Sequence, residues 1–202
     1  MDYTDRWRRT RQAMETGRVD ALCLSVGSDL PYLTGYTAMP LERLTMLVFP
    51  LDGDPTLVVP ELEAPRVETD GHDFVVRPWS ETQDPIGIVD AALGDARRVA
   101  IGDETWTRFS LALQNVGWQR AWIPASDLMV GVRIVKTPDE VDRLRAAAAT
   151  VDRVVDAMGG VRWSGRTERD VAREIRDRTL EAGHESMEFA IVASGPNGAS
   201  PH

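Results

Sequence analysis

Short apolar runs with strand character recur through the first part of the chain, and those at residues 21–25, 45–49, 56–59, 74–76, 99–101 and 121–123 predict six strands. Between them, helix-compatible segments cover residues 61–67, 85–93 and 107–115, while Leu51-Asp52-Gly53-Asp54-Pro55 carries the turn chemistry of a hairpin. Ahead of the first run, Trp7 and Met14 fall seven apart in an Arg-rich stretch that stops at Gly17, which predicts an amphipathic helix with its charged face in water. Strands alternating with helical segments make this part mixed α/β: a sheet with at least one antiparallel pair and helices packed on it.

The texture changes after Pro124. Thr137-Pro138-Asp139-Glu140 supplies a cap, a proline at the first helical position and acids in the first turn, where the positive end of the helix dipole favours them. A long helix is expected from there to Gly159-Gly160, with Val141, Leu144, Ala148, Val151, Val154, Val155 and Met158 at helical spacing. A second helix repeats the logic: Thr167-Glu168-Arg169-Asp170 resembles a capping box, Val171, Ile175 and Leu180 are spaced to form a buried face, and Ala182-Gly183 ends it. Residues 187–192 then read as an apolar strand running into Ala193-Ser194-Gly195-Pro196-Asn197-Gly198-Ala199-Ser200-Pro201-His202, a loop-forming stretch. Two helices and one strand, about 65 residues, leave that strand without a partner, so this second part reads as an incomplete fold.

Composition narrows the function classes. Of 202 residues, 43% are hydrophobic and 27% charged, which is ordinary for a globular chain and argues against disorder. Lys and Arg total 23 against 32 Asp and Glu; the net charge of −9 repels a phosphate backbone, so nucleic acid is not an expected partner. No run approaches the roughly 20 apolar residues of a membrane helix, and no apolar stretch follows the charged N-terminus as in a signal peptide, so no membrane partner and a cytoplasmic location are expected. A single cysteine, Cys23, allows no internal disulfide and reads as a small buried hydrophobe; with histidines only at 72, 184 and 202, no Cys/His zinc module can be assembled.

The usual catalytic constellations are mostly missing. Gly27-Ser28 offers no phosphate cradle, Ala193-Ser194-Gly195 lacks the glycine a nucleophile elbow needs two residues before its serine, and Gly195-Pro196-Asn197-Gly198 is not a Walker loop. The acid pairs Asp139-Glu140, Glu61 with Glu63, and Asp103-Glu104 read as surface or helix-end charges in an acidic chain. His72, in a turn-like polar segment, and His184, after a helix-ending region, read as structural or solvent-exposed. His202 stands apart because a loop punctuated by glycine and proline and leaving an apolar strand is a common way to hold a side chain over a cleft.

That final segment, from Phe189-Ala190-Ile191-Val192 through Ser194-Gly195-Pro196-Asn197-Gly198 to Pro201-His202, resembles the approach to the first active-site histidine of the pita-bread metallopeptidases, the Xaa-Pro aminopeptidases, Xaa-Pro dipeptidases and creatinase. Val132-Arg133-Ile134-Val135-Lys136-Thr137-Pro138-Asp139-Glu140-Val141 is similar to the family's entry into its catalytic domain, and Gly165-Arg166-Thr167-Glu168-Arg169-Asp170-Val171-Ala172 to its second helix. Val19-Asp20-Ala21-Leu22-Cys23-Leu24-Ser25 followed by Leu30-Pro31-Tyr32-Leu33-Thr34-Gly35-Tyr36 resembles the hallmark of the creatinase-type N-terminal domain, although many relatives carry an asparagine where Leu30 or Pro31 stands.

The resemblance implies a creatinase-like N-terminal domain over residues 1–127, then over 128–202 a connecting segment and the truncated start of an α+β pita-bread domain. It implies an enzyme, an Xaa-Pro aminopeptidase or dipeptidase acting as a homodimer on proline-containing peptides. The family's two metals, manganese or cobalt, are held by two aspartates, one histidine and two glutamates that follow the position of His202, so this chain is expected to hold no metal and to be inactive alone. His202 is the one site residue carried over, for substrate binding or transition-state stabilisation in the complete enzyme. The alternatives are a creatinase-like amidinohydrolase and a stand-alone dimerisation or binding module.

Overall fold

A computed structural model describes residues 3–69 and 73–199 of the chain. It divides into two compact units, Met1–Val135 and Lys136–His202.

The first unit is built on a six-stranded mixed sheet: β1 (Ala21–Leu24), β2 (Met46–Pro50), β3 (Thr56–Pro60), β4 (Val75–Trp79), β5 (Arg98–Ile101) and β6 (Ala121–Pro124), in the order β4-β3-β2-β1-β5-β6. β1, β2 and β3 pair antiparallel, and the remaining three junctions are parallel. The expected hairpin joins β2 to β3, with Gly53 at φ +96°, a conformation side chains other than glycine adopt at a cost. Successive strand residues point to opposite faces, so the unbroken apolar runs require cover on both sides. Leu22, Leu24, Leu47, Phe49, Leu57 and Val59 pack with Met14, Leu30, Leu33, Leu128 and Met129, from α1 (Tyr3–Gly17), α2 (Asp29–Thr34) and α5 (Ser126–Ile134). On the other face Ala21, Cys23, Met46, Val48, Val58 and Val99 pack with Val89, Leu93, Phe109 and Leu113 of α3 (Pro85–Leu93) and α4 (Thr107–Val116). The result is a three-layer α/β/α unit.

Several expectations are corrected. Residues 61–67 form no α-helix but a 3₁₀ turn over Ala64–Arg66, because Pro65 has no N–H to continue a helical ladder. β4 runs beyond the expected residues 74–76, reaching Trp79 across Pro78, which an edge strand tolerates. The helix α1 does not keep all its charges in water. Arg6 is buried, its guanidinium 4.1 Å from the Tyr32 ring centroid and donating to the Tyr32 carbonyl at 2.8 Å. Arg9 donates to the Tyr32 hydroxyl at 2.6 Å and to the Val132 and Val135 carbonyls, both at 3.0 Å, placing a cation at the negative end of α5. The Tyr32-Leu33-Thr34-Gly35 hallmark is thus a packing device: Leu33 is core, Tyr32 is clasped by arginines, and Gly35 ends α2 at φ +73°. His72 lies outside the described residues.

Cys23 is fully buried in β1, and that burial pushes its thiol up to about 12. The thiolate is therefore inaccessible at neutral pH. The folded chain is expected to show no reaction with a disulfide reagent such as Ellman's, and to release its single thiol only in denaturant. Rapid reaction without denaturant would mean that β1 is not enclosed on both faces.

The second unit contains α6 (Pro138–Met158) and α7 (Glu168–Glu181). The Thr137 capping box is complete: its hydroxyl accepts from the Glu140 N–H at 3.3 Å, and Glu140 accepts from the Thr137 N–H at 2.9 Å. The two helices pack on each other, and Val154 and Met158 of α6 and Val171 and Thr179 of α7 are buried. Most of the expected apolar face of α6 is uncovered, with Leu144 56% exposed and Val155 63%, and Phe189 of the expected strand is 74% exposed. Residues 187–192 form no ladder, contrary to the strand expected there, since no described strand lies beside them to supply hydrogen-bond partners.

Candidate functional site

The segment that resembles the approach to a catalytic histidine is held by α7. Thr167 caps that helix, its hydroxyl accepting from the Asp170 N–H at 3.2 Å and donating to the Asp170 carboxylate at 2.7 Å. Glu168, on the first turn of the same helix, reaches the chain that follows α7. Its Oε1 accepts from the Ser194 N–H at 2.6 Å, from the Ser194 hydroxyl at 3.3 Å and from the Asn197 amide at 3.2 Å, and its Oε2 accepts from the same amide at 2.9 Å. The stretch between these partners is not an open loop. It coils into a 3₁₀ turn over Gly195–Ala199, with the Asn197 N–H donating to the Ser194 carbonyl at 3.2 Å and Gly195 at φ +54°.

Donors converging on one carboxylate favour its charged form. The Ser194 N–H and then the Asn197 amide hold the Glu168 carboxyl below its ordinary value of 4.5, with partial desolvation opposing them. For a carboxyl lowered in this way, the contact is fully present above the ordinary value and is lost as pH falls through the lowered one. The base of α7 is braced separately. Glu174 accepts from Arg178 at 2.7 and 3.0 Å and from Arg166, and Arg166 also donates to the Asp170 carbonyl at 3.0 Å. Arg178 first, then Arg166, lowers the Glu174 carboxyl.

His202 lies outside the described residues, so its geometry is not part of this site. The acid pairs are structural where they are engaged: Glu140 closes the Thr137 box, Glu63 accepts from the Tyr36 hydroxyl at 3.3 Å and from Arg66, and Asp103 accepts from the Ser126 N–H. Among the described residues no three His, Cys, Asp or Glu side chains are grouped to hold a metal ion. No described helix is long and apolar enough to cross a membrane. Glu168 is the residue that sequence reasoning missed. It was visible only as part of a helix start, and nothing in its neighbours signals partners 26 and 29 positions away.

Residues 6–135 match the creatinase/prolidase N-terminal domain, which is the sheet unit described above together with its covering helices. The chain belongs to that family. Residues 142–202 match metallopeptidase family M24, covering α6, α7 and the clamped turn. The chain is 35% identical over 206 aligned residues to a protein named probable dipeptidase PepE from Mycobacterium tuberculosis, covering 99% of this chain and 54% of that protein. Among solved structures, dipeptidase PepE from Mycobacterium ulcerans superposes with a TM-score of 0.88 at 35% identity, over 100% of this chain and 55% of that one. Recombinant prolidase from Thermococcus sibiricus superposes with a TM-score of 0.91 at 27% identity, over 100% and 56%. The chain thus spans about half the length of the relatives it matches.

Proposed function

We propose that the full-length protein is a metal-dependent peptidase that hydrolyses the bond between an N-terminal residue and proline, with dipeptides as its first substrate class, and that this chain is its N-terminal portion. The observation that carries the reading is the continuous match of both units, in order, to half of proteins named as a dipeptidase and a prolidase. The first unit is the N-terminal domain, and the second begins a catalytic domain whose remainder covers the apolar face that α6 and residues 187–192 leave exposed. Two divalent ions, manganese or cobalt, bind to residues beyond His202, where they would activate water and polarise the scissile carbonyl. His202, three residues past that turn in sequence, binds the substrate or the developing oxyanion. The enzyme works as a cytoplasmic homodimer.

Assays of the full-length protein with Xaa-Pro dipeptides, longer Xaa-Pro peptides and creatine test this directly. Dipeptide cleavage that stops on chelation and returns with manganese or cobalt is the expected result, and the 202-residue chain alone is expected to cleave none of the three. Creatine turnover without Xaa-Pro hydrolysis would replace the peptidase reading by an amidinohydrolase. Light scattering that returned a monomer would remove the homodimer.

A further inference from the structure

We infer that Glu168 is a positioning residue for the catalytic domain: its carboxylate fixes the Ser194–Asn197 turn, the stretch of chain that leads in sequence to His202, five residues beyond Asn197. The inference rests on the peptidase reading for its catalytic consequence, but the clamp itself stands on geometry. Among the described residues this segment forms no ladder and is exposed along much of its length, and the Glu168 carboxylate is a side-chain contact that ties it to a helix. Both carboxylate oxygens are used, one on a backbone N–H and both on a side-chain amide, so the contact fixes the position and the orientation of the turn. The acceptor sits on the first turn of a helix that is independently capped by Thr167 and braced by the Arg166–Glu174–Arg178 network, which makes it a rigid anchor. The polarity is directional. Glu168 can only accept and Asn197 must present its amide nitrogen, so exchanging acceptor and donor between the two positions should preserve the contact, whereas two carboxylates should break it.

The test uses the full-length protein. Glu168→Ala is expected to lower kcat on an Xaa-Pro dipeptide by about 10- to 100-fold, the scale of a displacement near 1 Å, with KM within about threefold of the parent and bound metal unchanged. Amide hydrogen exchange across residues 190–199 should accelerate in the same variant. Asn197→Asp should show a comparable loss, and Glu168→Gln combined with Asn197→Asp should recover kcat, because the glutamine amide then donates to the aspartate while its carbonyl still accepts from Ser194. Parent-like kcat in Glu168→Ala, unaltered exchange, metal loss in that variant, or failure of the double variant to recover would each overturn the inference. A parent that cleaves no Xaa-Pro substrate would instead overturn the peptidase reading and the catalytic consequence with it, and the exchange measurement would still decide the clamp.

Discussion

A Phe49→Ala chain is expected to unfold at much lower urea than the parent, with a loss of about 3–5 kcal/mol. Phe49 is completely buried in β2, opposite Leu22 of β1, and meets Trp7 of α1 edge to face with ring centroids 5.5 Å apart at 85°. The Arg11 guanidinium lies 5.3 Å from its ring centroid on the same side. Truncation leaves a void between the sheet and α1 that neither element can close, since the sheet is held by its ladders and α1 by the Arg6 and Arg9 contacts to Tyr32. The loss is comparable to much of the 5–15 kcal/mol that stabilises a typical domain, whereas Phe49→Leu, which keeps most of the volume, should cost less than about 1.5 kcal/mol. Tryptophan fluorescence reports the transition, because Trp7 is itself the partner and all but Trp163 of the tryptophans lie in the first unit. An alanine variant within about 1 kcal/mol of the parent would show that the site collapses and that this face is loosely packed.

His202→Ala in the full-length protein is expected to lower kcat on Xaa-Pro dipeptides by about 100- to 1,000-fold, the range seen when one donor to a developing oxyanion is removed. Under the proposed function, His202 acts at the reacting carbonyl and is not a metal ligand, so the melting temperature and metal content should stay at parental values. An effect confined to KM would assign it to ground-state binding of the substrate, and kcat within about threefold of the parent would remove it from the site. The loss should exceed that of Glu168→Ala, which removes the clamp and keeps the imidazole.

The elements most legible in the sequence are those whose local signals agree. α3 occupies the expected residues 85–93, and α6 starts at the expected Thr137 box, because proline, cap residue and apolar spacing point the same way in both. α2 and α5 were not anticipated. α2 is six residues long with Pro31 inside it, and α5 follows Ala125, which offers no capping side chain. Both owe their helicity to burial of Leu30, Leu33, Leu128 and Met129 against the sheet, a tertiary effect that local propensity does not carry. The apolar positions of α6 are legible as a pattern, but only Val154 and Met158 among them are buried, and the pattern does not say what covers the rest. In the candidate site, Ser194, Gly195, Pro196 and Asn197 stood out through family resemblance, while the Glu168 contact depends on a fold-made meeting of distant residues.

The prolines of β4 and β6 also bear on self-association. Val75 donates its N–H to Pro55 and Trp79 accepts from Glu61, so the odd-numbered residues of β4 turn their backbone groups inward and Pro78 faces the open edge. On the opposite edge Ala121 and Ala125 donate inward to Arg97 and Ile101, which leaves Pro124 on the outside. Each free edge therefore lacks a donor where an added strand would require one. The sheet is blocked against growth in both directions, so stray β-rich chains find no template on it, and the homodimer proposed above would be built through side-chain contacts rather than by extending the sheet.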